Sequence, residues 1–363
     1  LTLQAGRSVL VNASITTDNG DLTLTANETL SNGVVSDHRD SGAAVITLGA
    51  AIVTGTGAFT LTITAGTGKT NLASGDITLS TVTAGSLVVA NNGPTSNSNI
   101  EDNGVLNITG TSSFTTSEDG STITLDQDNI FTGAVTLNTS GSTGHAVVDN
   151  GTTRLDIAAS SIGGDLTLTS GAAEGIIDSG TVSVGGNLTA TTDAGNGVIN
   201  LGELAVDGTI ALTTNGSGNA TVVNDAGLNF AASTVRGALS ATATAGNITQ
   251  SGILTITVTD TSSFTTIANN ATITLNNANA FTDAVALNTT GSSAHATVRD
   301  ASGLKLGASV VGGILTATVN NGHITQSGGL TITGAATFIT ETTSKNIILD
   351  QDNAFASSVT MQA

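Results

Sequence analysis

The chain has 363 residues, 45 of them glycine, with one proline, no cysteine, tryptophan or tyrosine, and a formal net charge of −19. Aromatics at 2% are too few for a compact core of the usual kind, in which each ring buries a large area. A hydrophobic share of 38%, charged residues at only 10% and a mean hydropathy of +0.24 do not fit disorder, and a single proline excludes collagen despite the glycine.

The elements, taken from the N-terminus, are short alternating segments. Leu22–Thr–Leu–Thr25, Val45–Ile–Thr–Leu–Gly49 and Ala58–Phe–Thr–Leu–Thr62 place aliphatics on one side and threonine on the other. Period 2 with β-branched residues predicts strands, with threonine on the wet face. This stretch ends at Ile100–Glu–Asp–Asn–Gly104. Next come Ser112–Ser–Phe–Thr–Thr116, Thr122–Ile–Thr–Leu–Asp–Gln–Asp–Asn–Ile–Phe131 and Leu166–Thr–Leu–Thr169, ending at Ile177–Asp–Ser–Gly180. Ala211–Leu–Thr–Thr–Asn–Gly216 follows, ending at Ile248–Thr–Gln–Ser–Gly252.

From there the phrases return. Leu254–Thr–Ile–Thr257, Ser262–Ser–Phe–Thr–Thr266, Thr272–Ile–Thr–Leu–Asn–Asn–Ala–Asn–Ala–Phe281 and Ala286–Leu–Asn–Thr–Thr–Gly291 run to Ile324–Thr–Gln–Ser–Gly328. Leu330–Thr–Ile–Thr333, Ala336–Thr–Phe–Ile–Thr340 and Asn346–Ile–Ile–Leu–Asp–Gln–Asp–Asn–Ala–Phe355 then begin another round. The spacing is a period of about 75 residues. It predicts super-repeats at 30–103, 104–179, 180–251, 252–327 and a partial one at 328–363, within one continuous rod over 1–363. The chain starts part-way through a repeat, without Met or a signal-peptide pattern, and stops part-way through another. A fragment of a longer chain is therefore expected.

Asn–Gly, Ser–Gly, Asp–Gly and Gly–Gly pairs separate the strands and suit tight corners. No stretch carries sustained helical periodicity with caps. A solenoid coil takes about 20–25 residues, so each period is expected to hold about three coils, and the chain about 15. Such a core is a narrow tube of small aliphatics. Phe114, Phe264 and Phe338 are equivalent, as are Phe131, Phe281 and Phe355, and are expected to fill a wider corner. Open coil ends present unpaired strand edges, which points to self-association or end-to-end stacking into fibres. The predicted class is all-β, a parallel β-solenoid.

The phrases Gly–Gly–Leu330–Thr–Ile–Thr, Ala336–Thr–Phe–Ile–Thr, Asn346–Ile–Ile–Leu, Ile324–Thr–Gln–Ser–Gly and Leu1–Thr–Leu–Gln–Ala–Gly resemble the repeat region of filamentous haemagglutinin-like exoproteins. These are large bacterial surface adhesins, generally exported by two-partner secretion. The resemblance covers essentially the whole chain. It implies a right-handed parallel β-helix, an extracellular location at the bacterial cell surface, and adhesion or aggregation against a host or neighbouring cell. The family's N-terminal secretion domain carries Asn–Pro motifs; here the one proline, Pro94, follows Gly93.

The eight basic residues, Arg7, Arg39, Lys69, Arg154, Arg236, Arg299, Lys305 and Lys345, are scattered in sequence. They argue against nucleic acid and an anionic membrane surface as partners. No apolar run reaches the ~18 residues of a membrane-inserted helix. Absence of cysteine removes disulfides and thiolate metal sites.

Asp126–Gln–Asp128–Asn129 and Asp350–Gln–Asp352–Asn353 offer paired carboxylates to Ca²⁺. The third copy, Asn276–Asn–Ala278–Asn279, lacks both, so an Asx turn is the competing assignment. His38, His145, His295 and His323 are expected to be solvated loop residues. Glu101–Asp102 and Glu118–Asp119 are the acid pairs a glycosidase would need ~5–9.5 Å apart in a cleft, but tryptophan and tyrosine platforms are absent. Thr–x–Thr phrases suggest an ice-binding ladder, yet recur on different faces. Asn–x–Thr triplets such as Asn107–Ile–Thr109 and Asn288–Thr–Thr290 are expected by chance in this composition. The sequence therefore predicts no catalytic residue, no cofactor and no metal beyond the Ca²⁺ candidates. The expected function is a structural, non-catalytic stalk or fibre subunit, and the alternative is a carbohydrate-binding or carbohydrate-active β-helix.

Overall fold

A computed structural model describes residues 1–28, 42–65, 74–95, 98–257 and 260–363. It forms two compact units, Leu1–Asn187 and Leu188–Ala363. The described residues contain strands and no helix. Each unit is a β-solenoid: strands from successive coils pair in parallel, and the chain climbs by one strand spacing per coil.

In the first unit one column of paired strands runs through Thr2–Gln4, Leu22–Ala26, Ala58–Ile63, Ser86–Asn91, Ser112–Asp119 and Val135–Ser140. A second runs through Val9–Val11, Ala44–Leu48, Ser74–Leu79, Ile100–Asp102, Ile123–Leu125, Ala146–Asp149 and Leu166–Ser170. A third, shorter column holds Ile15–Thr16, Ile52–Val53, Val82–Ala84, Leu106–Ile108 and Ile130–Phe131. Alternate residues of each strand point inward. Leu24, Leu61, Val89, Phe114 and Leu137 stand in register and are fully buried. Burying one such side chain is worth about 1.5–3 kcal/mol. A stacked column is thus the main cohesive term, and each coil obtains it only from its neighbours.

In the second unit one column comprises Ile199–Val206, Ala220–Asn224, Leu239–Ala243, Ser262–Thr266 and Val285–Asn288. The opposite column includes Ile210–Thr213, Ile273–Phe281, Ala296–Asp300, Leu315–Val319, Ala336–Thr340 and Val359–Gln362. The sequence alone suggests about three coils per period; the strand order adds a half-coil. Between Ala220–Asn224 and its counterpart Ala296–Asp300 the chain makes seven half-coils, so equivalent strands fall on opposite columns in consecutive periods. Ile210–Thr213, Val285–Asn288 and Val359–Gln362 alternate in this way.

The phenylalanines pair across the interior. Phe114 meets Phe131 edge-on at 5.9 Å, Phe264 meets Phe281 at 6.3 Å, and Phe338 meets Phe355 at 6.2 Å. Phe230 adds a contact to Phe264 at 6.2 Å. Where coils turn, glycine permits the approach. Gly85, Gly110 and Gly133 stack, and a Cβ on Gly110 would lie 2.5 Å from the Gly85 carbonyl oxygen.

At three places one period apart, a strand faces two shorter strands on the next coil. Val135–Ser140 pairs with both Leu155–Ile157 and Ser160–Ile162. Val285–Asn288 pairs with both Leu304–Leu306 and Ser309–Val311, and Ile210–Thr213 likewise faces Leu228–Phe230 and Ser233–Val235. The break would orphan a backbone N–H. A serine takes it each time: Leu137 N donates to Ser160 Oγ at 3.0 Å, Leu212 N to Ser233 Oγ at 3.1 Å, and Leu287 N to Ser309 Oγ at 3.0 Å. Each hydroxyl donates onward to a carbonyl two residues back. Ser309→Ala should therefore destabilise the second unit by about 1–2 kcal/mol, the cost of a buried unsatisfied donor. Amide hydrogen exchange should accelerate at Leu287 first; an unchanged Leu287 rate would contradict this.

Candidate functional site

The buried polar groups gather at the coil corners, and they repeat. In the first unit Asn129 Oδ1 accepts the Leu106 N–H at 2.8 Å, and its Nδ2 donates to Asp102 Oδ2 at 2.7 Å. Asp102 Oδ1 accepts the Asp126 N–H at 3.0 Å. One coil on, Asn150 Oδ1 accepts the Phe131 N–H at 2.7 Å and its Nδ2 donates to three carbonyls. In the second unit Asn279 accepts from Leu254 N at 2.9 Å and exchanges two amide hydrogen bonds with Gln250, at 2.8 and 2.9 Å. Asn353 does the same with Leu330 N and Gln326. Asp300 takes the place of Asn150: Oδ2 accepts the Phe281 N–H at 2.7 Å, while Oδ1 accepts from Ser302 N and Gly303 N.

These corners reassign the acidic phrases. The fourth residue, Asn129, Asn279 or Asn353, is kept in all three copies and faces inward. It was legible as the one position of the phrase that never changes, but carboxylate counting passed over it. The Ca²⁺ candidates lie beside it. Asp126 and Asp350 are exposed, and each accepts a hydrogen bond from the next glutamine, Gln127 or Gln351, at 3.0 Å. Asp128 and Asp352 are also exposed. Among the described residues no three His, Asp or Glu side chains are grouped to hold a metal ion.

The acid pair Glu101–Asp102 splits across the strand. Asp102 is inside, 3% exposed, whereas Glu101 points out and accepts from Thr78 Oγ1 at 2.9 Å. The two carboxyls therefore open on opposite faces. Glu118 and Asp119 sit at the end of Ser112–Asp119, beside a turn.

Three histidines serve the backbone. His145 Nδ1 accepts the Asp165 N–H at 2.8 Å, His295 Nδ1 accepts from Ile314 N at 2.9 Å, and His323 Nδ1 accepts from Asn346 N at 2.9 Å. Their counterparts are asparagines: Asn219 Oδ1 accepts from Ala238 N and Asn247 Oδ1 from Thr272 N, both at 2.8 Å. An imidazole nitrogen and an amide oxygen present the same lone pair, which is why the two residue types interchange. The expectation of merely solvated histidines missed this bond. His38 lies outside the described residues.

Threonine does line up. Thr274, Thr297, Thr316, Thr337 and Thr360 are in register over five strands of the second unit. The neighbouring outward column reads Arg299, Thr318, Ile339, Gln362, so a double Thr–x–Thr ladder does not form there. No helix among the described residues is long and apolar enough to cross a membrane.

Burial pushes the Asp102 carboxyl up to about 6 from 3.8, against the lowering effect of the Asn129 and Asp126 hydrogen bonds. Between these values the folded state holds more protons than the unfolded one. The Asp102 contribution is thus complete below about 3.8 and is lost as pH rises through about 6. Asp102→Gln copies the neutral partner found at Gln250 and Gln326. Chemical denaturation should show wild type losing stability relative to Asp102→Gln between pH 4 and 7; a constant difference would be inconsistent with the buried carboxyl.

No curated protein and no solved structure matches the chain. A family model does, over residues 65–138, 217–288 and 293–362, more than half of the chain, and the starts of its segments are two periods and then one period apart. The chain therefore belongs to the family described as repeats of unknown function (DUF5649).

Proposed function

We propose that the chain is a structural, non-catalytic segment of a large bacterial exoprotein of the filamentous haemagglutinin-like kind. It acts as a β-solenoid stalk or fibre subunit at the cell surface that supports adhesion or aggregation. The observation that carries this is the use of the buried polar residues. Serine at the split strands, amides at the corners and imidazoles at the turns all satisfy backbone groups of adjacent coils. They recur with the period. Side chains that an active centre would gather are spent on joining one coil to the next.

Further support comes from the family assignment, which is one of repeats. The carbohydrate-active alternative gains little from the acid pair Glu101–Asp102, whose carboxyls face opposite ways. Immunogold labelling of intact producing cells, followed by mild protease shaving, tests the proposal. Label on surface filaments that disappears on shaving is the expected result. Label confined to the cytosol of permeabilised cells, or glycan cleavage by the purified chain, would overturn it.

A further inference from the structure

The second unit contains the same corner groove twice, one period apart, with opposite chemistry. The earlier groove, of about 380 Å³, is lined by Asp207, Ala226, Asn229, Asn247 and Thr249 among others. The later one, of about 460 Å³, has Thr282, Ser302, Lys305, His323 and Thr325 at the matching places, and Lys345 beside them. Shared glycines and leucines, Gly227 and Leu228 against Gly303 and Leu304, form the floor of both. The hollow is thus a property of the coil, whereas its charge is a property of the later copy.

That charge is unusual for this molecule. The chain has 27 acidic residues and 8 basic ones, with three lysines in all, yet two of the lysines meet in this groove and no carboxylate lines it. Asp283 is bound by one ammonium hydrogen of Lys305 at 2.8 Å, which leaves two donors on that nitrogen. Lys305 holds the Asp283 carboxyl below the usual range. Lys345 makes no ion pair among the described residues. His323 spends Nδ1 as an acceptor for Asn346 N, so its remaining nitrogen is a donor. Asp300, under the Ser302–Gly303 turn, is turned inward with both oxygens occupied. The groove therefore presents ammonium, imidazole N–H, hydroxyl and amide groups around Leu304, and no aromatic ring lines it.

We propose that this groove binds the carboxylate or sulfate of an acidic saccharide, with Lys305, Lys345 and the free His323 nitrogen donating to the oxyanion, Thr325 and Asn321 donating to sugar hydroxyls, and Ser302 Oγ, which itself donates to Asp300 Oδ1 at 3.4 Å, accepting from one. The site goes beyond the structural role and does not depend on it. It predicts a defined ligand-binding point on a surface that is elsewhere repulsive to anions.

The histidines provide the test. Proton–carbon spectra of the full chain are followed at the imidazole Cε1–H positions during titration with a galacturonic acid trimer and, separately, with a sulfated disaccharide; inorganic sulfate is the third arm. The His323 signal should move and saturate with at least one saccharide, while His145 and His295 stay still. The two saccharide arms tell carboxylate from sulfate. Lys345→Ala and Lys305→Ala should each weaken the response by about fivefold, the scale of one half-exposed charge contact, and Lys345→Arg should preserve it. Lys345 lies outside the packed interior, so the alanine variant keeps its fold, which unchanged signals from His145 and His295 would verify. An unmoved His323 with both saccharides, or alanine variants that titrate like wild type, would overturn the site. A response to inorganic sulfate as strong as to either saccharide would overturn its saccharide specificity.

Discussion

Every coil of this protein depends on the coil beside it for its backbone hydrogen bonds. A parallel ladder supplies them along straight strands and through glycine turns such as Gly110, whose N–H reaches the Gly85 carbonyl, but where a strand faces two shorter ones or a corner tightens the ladder is interrupted. A buried N–H without an acceptor costs on the order of 1–3 kcal/mol, and that cost arises wherever the ladder is interrupted. The side chains of Ser160, Ser233 and Ser309, of Asn129, Asn150, Asn224 and Asn279, and of His295 and His323 meet it by reaching to the neighbouring coil. Apolar stacking provides the cohesion. The polar corners decide where the chain may bend.

This constraint explains why several chemically suggestive residues are structural. A carboxamide next to carboxylates looks like a cation site in sequence, yet the carboxamide is aimed inward and the carboxylates outward. Asp300 replaces Asn150 because either can accept a hydrogen bond from a buried N–H. Asp102 replaces a glutamine less comfortably, since a carboxylate in the same desolvated corner resists ionisation, and its pKa rises to about 6. The copies thus tolerate exchanges that preserve a lone pair, and at Asp102 the exchange leaves a carboxyl that burial keeps from ionising.

The half-coil in each period has a separate consequence. Because seven half-coils separate equivalent strands in the second unit, Ala220–Asn224 and Ala296–Asp300 lie on opposite columns. Outward residues are therefore freed from forming one continuous stripe, and each corner groove can acquire its own lining. The Asp207, Asn229 and Asn247 groove and the Thr282, Lys305 and His323 groove share glycines, a leucine and a threonine and differ in charge.

The sequence by itself determined the all-β class, the period and the inward register. A two-residue alternation of Leu, Ile and Val with Thr has one way to bury its apolar half, and a repeated phrase such as Ser262–Thr266 marks equivalent places. It also marked the two sets of equivalent phenylalanines, whereas their edge-on contacts arise from closure of the coil. Only the tertiary structure decided which residues meet. The partners Gln250 and Asn279 are 29 residues apart, and His323 and Asn346 are 23 apart. Such distances are set by how many residues each turn consumes, and turn lengths vary from coil to coil. Local propensity carries the strand pattern along the chain, but contacts across coils depend on closure around the tube, which no short stretch of sequence encodes.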